Sequence, residues 1–302
     1  MTASQLDGYL YTSNDGGSSW SRNRNISSVQ PWLAVAMSGD GRIQGAVTKA
    51  TNGKIFVSLD YGSSWSITSP RGIFTGIGVS GTGAYITAVT PKEICTSSDA
   101  GVNWNVSLPG VVGLWDVAMS FTGSIQVVSG TRYVNRSDDF GLTWRGILLG
   151  STNAMYDKVA MSCDGSHIAV IEVRGSFVQM SVDGGVTWKV AWNIVNAAGT
   201  KRGIFGIAMS HDGRFLKTSH PTFYVGGSSD FGISWKAGGS KLNWWSVAMS
   251  GDGNTWAFNT DSGALHIYNS SGFYMRGTGV LSDWKGIAIQ SGQLCCLCRP
   301  LY

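Results

Sequence analysis

The stretch that decides the fold is Ser181-Val-Asp-Gly-Gly-Val-Thr-Trp188, because near copies of it recur along the chain at a nearly constant interval. The shared pattern is Ser-x-Asp-x-Gly-x-(Ser/Thr/Asn)-Trp, ending at Trp20, Trp65, Trp104, Trp144, Trp188 and Trp235. Its aspartates, Asp15, Asp60, Asp99, Asp139, Asp183 and Asp230, follow one another at 39 to 47 residues. A period of that length, with strand-forming residues on both sides, is what a four-stranded propeller blade produces.

A second repeat falls midway between copies of the first: WLAVAMSGDG, FTGIGVSGTG, LWDVAMSFTG, YDKVAMSCDG, IFGIAMSHDG, WWSVAMSGDG and WKGIAIQSGQ. Aligned on Ser38, Ser80, Ser120, Ser162, Ser210, Ser250 and Gln290, each copy alternates a bulky residue with Ala or Gly. That period of two marks a strand with one broad and one tight face, as crowded innermost strands need. Seven copies predict seven blades, so residues 1–302 are expected to form one all-β domain, a seven-bladed propeller of four-stranded antiparallel blades. Each blade then reads as strand A, a Gly-Asp-Gly turn, strand B, a loop, strand C, the Asp motif as a turn, and strand D. The sixth blade's motif has eroded to YNSSGFYM, Tyr268 to Met275. The ring is expected to close by pairing N-terminal strands C and D with C-terminal strands A and B, which removes exposed sheet edges.

Composition agrees: 42 Gly, 13 Trp and only 13% charged residues suit short strands and tight turns better than helices. No basic region followed by an apolar core opens the chain, and no apolar run is long enough to span a bilayer. A soluble protein, intracellular or virion-associated, is the resulting expectation. Five cysteines, three of them crowded at Cys295, Cys296 and Cys298, argue against a disulfide framework, and four scattered histidines against a metal centre. No cofactor is expected.

The repeated Asp can accept hydrogen bonds from backbone N–H groups one and two residues on, the Gly permits a positive φ, and the Trp can pack between blades. Calcium would need six to eight oxygens, and each motif offers one carboxylate. The motif resembles the Asp-box, or BNR repeat, of sialidases, sortilin-type receptors, xyloglucan-hydrolysing glycosidases and propeller assembly factors of photosystem II. The resemblance covers essentially the whole chain through six good matches. It implies that the box is a structural turn on the face opposite the functional one, and it implies fold more than function.

With strand order assigned, charges sort onto two faces. The A-to-B and C-to-D turns carry the box aspartates with Asp40, Asp164, Asp212 and Asp252, and form an acidic face. The D-to-A and B-to-C loops form a basic one, on which Arg71, Lys92, Arg132, Arg174 and Lys217 are candidate contacts. Aromatics at the starts of the A strands, among them Trp32, Trp115, Tyr156, Trp245 and Trp284, either wedge between blades or stack on a ligand. A non-catalytic recognition or scaffold propeller binding an acidic protein surface or anionic glycan is the leading expectation. The alternative is a glycoside hydrolase, for which Asp116, Asp157, Asp261 and Asp283 could reach the ring's mouth and supply paired carboxylates. A third is a structural subunit of a larger assembly. The sialidase pattern is lacking: there is no Arg-Ile-Pro and only two glutamates, Glu93 and Glu172. The cations are spread over seven blades, not gathered in an arginine-rich stripe, which disfavours nucleic acid.

Overall fold

The computed structural model describes residues 1–107, 110, 112–150, 153–172, 177–193, 203–220, 223–260, 265–270, 274–277 and 284–289. Every regular element in them is a strand, and the 28 strands make seven four-stranded antiparallel sheets. Blade I contains strand A (Trp32–Met37), B (Gln44–Thr48), C (Gly53–Ser58) and D (Ser66–Gly72). The A strands of blades II to VI are Gly76–Val79, Leu114–Met119, Tyr156–Met161, Gly206–Met209 and Trp244–Met249. They stand side by side around a central channel, and their alternation sends every second residue into it.

Blade VII closes the ring from both chain ends, but with a different split from the one expected. Trp284–Ala288 is its strand A, and Thr2–Gln5, Leu10–Thr12 and Ser21–Arg22 are B, C and D. Thr2 pairs with Ala288 and Ala3 with Ile287, so one C-terminal strand meets three N-terminal ones, not two meeting two. Thr2–Ser4 is buried on both faces, and Ala3 joins a core with Ala257 and Ile287. Strand B thus carries no polar and apolar alternation from which a strand could be read. Cys295, Cys296 and Cys298 lie outside the described residues.

The Asp turns hold together by a fixed set of bonds. In blade I, Asp60 Oδ1 accepts from the Ser58 hydroxyl (2.8 Å) and the Ser64 amide (2.8 Å), and Oδ2 accepts from the Ser64 hydroxyl (2.6 Å). Ser58 Oγ accepts from the Gly62 amide at 2.9 Å, and Trp65 Nε1 donates to the Gly62 carbonyl at 3.1 Å. The backbone donor sits four residues past the Asp, not one or two as expected. The reason is that two of the three intervening residues, Tyr61 (φ 62°) and Gly62 (φ 81°), are left-handed and swing the chain back over the carboxylate. The Gly-Asp-Gly turns use a shorter version, in which Asp40 Oδ1 accepts from the Ser38 hydroxyl and the Arg42 amide.

Blades are joined at three levels. The motif tryptophans pack into the apolar cluster between their own blade and the one before, as Trp104 does with Val57 and Ile77. The motif glycines leave room for the residue that precedes the neighbouring motif: a Cβ on Gly101 would lie 2.9 Å from Val57 Cγ2. Backbone hydrogen bonds also run around the ring from Gly39 to Gly81, Thr82 to Phe121, Phe121 to Cys163, Cys163 to His211 and His211 to Gly251. Cys163 is disulfide-bonded, which departs from the expected pattern of free thiols, whereas Cys95 is free and buried.

Candidate functional site

The channel differs at its two ends. On the turn face it narrows to about 170 Å³ between Met37, Val79, Met119, Met161, Met209, Met249 and Ile289, the residues one before each marker. On the loop face it widens into a mouth of about 490 Å³. That mouth is built from two columns of the inner strands. Four residues before the marker, the chain is small at Ala34, Gly76, Gly206 and Ser246 but charged at Asp116 and Lys158, on adjacent blades III and IV. One residue earlier stand Leu33, Thr75, Asp157, Phe205 and Trp245.

The charged part of the mouth is a small network. Lys158 Nζ lies 3.4 Å from Asp157 Oδ1, and a third of each side chain reaches solvent. Asp116 Oδ2 accepts from the Val159 amide at 3.4 Å, and its carboxylate sits in the space that a side chain on Gly76 would fill, 3.1 Å from an ideal Cβ. The Ser129 hydroxyl lies between the backbones of Asp116 and Asp157, 3.1 Å from the Asp116 amide and 3.0 Å from the Asp157 carbonyl. Burial pushes the Asp116 carboxyl up to about 6; Lys158 pulls it down and Asp157 adds to the rise. For Lys158, burial works against the charge, but Asp116 and Asp157 together outweigh it and hold the ammonium above its usual range.

Across the channel the wall is apolar. Trp245 is 40% exposed and stacks on Phe205, with centroids 4.7 Å apart. Beside it the buried Ser246 hydroxyl has no hydrogen-bond partner among the described residues.

The expected site residues divide accordingly. Arg71, Lys92 and Arg132 are exposed on blades I to III, and Lys49, also exposed, lines the mouth. None of the four is in an ion pair among the described residues. Trp32 and Tyr156 are fully buried wedges, Trp32 edge-on to Phe56 at 4.8 Å. Trp115 is half-buried, and its Nε1 has no hydrogen-bond partner among the described residues. Trp284 lies in the closing strand, and its side chain is outside the described residues, as are Arg174, Asp261 and Asp283.

Lys217 is not on the loop face: its ammonium sits over the Trp256 ring at 4.5 Å, in a cleft between blades V and VI that opens among turn residues. It lies near the start of its strand, Leu216–Ser219, which leaves the turn face. Phe205 belongs to the aromatics at the starts of the A strands, and Lys49 and Lys158 to the loop-face cations, that the sequence defines; Ser246 carries no such signal. The signal for Lys158 was present, since it interrupts a column of small residues that Asp116 interrupts one blade earlier.

No protein family matches the chain, and no curated protein does. Solved structures share its fold. A GH74 xyloglucanase from Xanthomonas campestris superposes with a TM-score of 0.71 at 13% identity over 95% of this chain. The match takes in 52% of the xyloglucanase, so the chain spans about half of that protein's length. YCF48 from Cyanidioschyzon merolae gives 0.65 at 16% identity, covering 89% of this chain and 90% of that one. YCF48 bound to D1 peptide gives 0.61 at 14% identity over 81% of each chain. Among the described residues no helix is long and apolar enough to cross a membrane.

Proposed function

We propose that the loop-face mouth binds an acidic segment of a partner protein, and that the chain is a non-catalytic recognition propeller. The observation that carries this is the layout of the mouth. The half-buried Phe205 stacks on the exposed Trp245 and both line the mouth, as does Lys49, while Arg71, Lys92 and Arg132 are exposed on blades I to III; none of these four cations is in an ion pair among the described residues. An extended segment crossing the mouth would stack an apolar side chain on Trp245 and place carboxylates near the cations. Among structures of the same fold, YCF48 is seen with a bound peptide, which supports a peptide over a small molecule. The six Asp turns support placing the chain among Asp-box propellers.

Fluorescence anisotropy with labelled Asp/Glu-rich peptides, with and without one aromatic residue, tests the proposal. Trp245→Ala should weaken binding of the aromatic-containing peptide about tenfold, corresponding to about 1.4 kcal/mol. A Lys49→Glu/Lys92→Glu/Arg132→Glu variant should abolish binding and its salt dependence. Unchanged peptide binding by that variant refutes the assignment. Binding confined to anionic glycans on an array would replace the peptide by a sugar.

A second proposal, glycoside hydrolysis, rests on one observation: Asp116, with its carboxyl raised to about 6, lies beside Lys158 and close to Asp157. A carboxylic acid still protonated near neutrality could serve as general acid. On this account the chain would hydrolyse a β-glucan, Asp116→Asn would lower the rate at least a hundredfold, and the rate would fall above about pH 6. Absence of turnover on β-glucans and xyloglucan by the unmodified protein excludes it.

A further inference from the structure

The interface between blades V and VI is built differently from the others. Elsewhere the residue before each Asp motif fills the space beside the next motif's glycine: Val57 meets Gly101, Met180 meets Gly232 and Ile267 meets Gly17. The residue at strand D opposite the motif strand then touches the incoming tryptophan. Thr68, paired with Ile55, accepts a hydrogen bond from Trp104 Nε1, and Trp192, paired with Val178, stacks on Trp235 with centroids 4.7 Å apart.

In blade V both positions are glycine. Gly227 stands where Val57 and Met180 stand, and Gly238, paired with Val225, stands where Thr68 and Trp192 stand. Blade VI's motif has no Trp at its last position, which is Met275. Between the two blades lies a cleft of about 520 Å³ walled by Trp256, Phe258 and Tyr268, with Trp256 and Tyr268 nearly parallel at 6.4 Å. Lys217 lies across Gly227 into this cleft, its ammonium 2.9 Å from where a Cβ on that glycine would be. It is half-buried, and no described carboxylate pairs with it. Burial alone holds its pKa below the usual lysine range.

A half-buried cation without a counter-charge among the described residues, in a cleft walled by aromatic rings and two glycines, defines a ligand. We propose that this cleft binds a small aromatic carboxylate, its ring against the aromatic wall of Trp256 and Tyr268 beside Gly227 and Gly238, and its carboxylate on Lys217. A neutral ring would gain only the apolar contacts; the charge-assisted bond to Lys217 supplies the selectivity. The site is independent of the loop mouth and does not rest on the function proposed for it.

Isothermal titration with indole-3-acetate and with its uncharged isostere, indole-3-acetamide, tests this on the unmodified chain. The acid should bind at least about tenfold more tightly than the amide. Lys217→Gln should remove that difference. Gly238→Ile should block both ligands while preserving the fold, because a Cβ there meets nothing within 4 Å. Equal affinity for acid and amide, no binding of the acid up to about 10 mM, or full binding by the Gly238→Ile variant would each overturn the proposal.

Discussion

Asp60 shows how an exposed side chain can be structural. Its carboxylate accepts bonds from the Ser64 hydroxyl and amide and from Ser58, and these hold its pKa below the ordinary range. The same bonds act at Asp139 and Asp230, whose carboxyls are lowered to about 2. A carboxylate with a depressed folded pKa stabilises the fold above the unfolded value near 3.9 and loses that contribution as pH falls through the folded pKa. The protein should therefore lose stability steeply between about pH 4 and pH 2, as checked by circular dichroism during acid titration. Asp60→Ala removes the acceptor and leaves the Ser64 amide to solvent; it should cost about 1 kcal/mol in a denaturant melt at pH 7, and less at pH 2. Asp116 is the opposite residue, a carboxyl that burial raises, and it stands on an inner strand outside the box motif.

At the scale of the element, tryptophans with similar sequence neighbourhoods perform different tasks. Trp104 follows an Asp turn and packs between blades I and II, with its Nε1 bonded to Thr68 and Gly101. Trp104→Ala should cost about 2–4 kcal/mol, less than a fully buried indole because the ring is half-exposed. Trp244 and Trp245 are adjacent on one strand, yet one is 1% and the other 40% exposed, because successive side chains alternate faces. Trp245→Ala should cost no more than about 1 kcal/mol of stability, so its effect on peptide binding is readable without unfolding. Thermal melts of the two variants compare them directly. The aromatic column had two possible roles from sequence alone, and alternation within the strand decides between them residue by residue.

The whole molecule depends on closure. Thr2–Gln5 is the second strand of blade VII and pairs with Trp284–Ala288, so blade VII exists only when the two ends of the ring meet. Ala3→Asp would place an unpaired charge in a fully buried position of that strand and should cost more than about 3 kcal/mol, lowering the melting temperature far more than Ser19→Asp on the same blade's exposed turn. Blade number, strand order and the Asp turns were legible in the chain because each arises from contacts between residues close in sequence, repeated at a fixed period. The split of the closing blade was not, since Thr2–Ser4 is buried on both faces and shows no alternation. Nor was the position of Lys217, which follows from Gly227 and Trp256 meeting it from a neighbouring strand and a neighbouring blade. Asp116, Asp157 and Lys158 were each visible as charges, and Asp116 and Asp157 were already candidates for the mouth. Their assembly around one ammonium depends on blades III and IV standing side by side. Sequence by itself thus determined the repeating unit, whose energetics are local; the tertiary structure alone decided the two cavities, because each is formed where different blades meet.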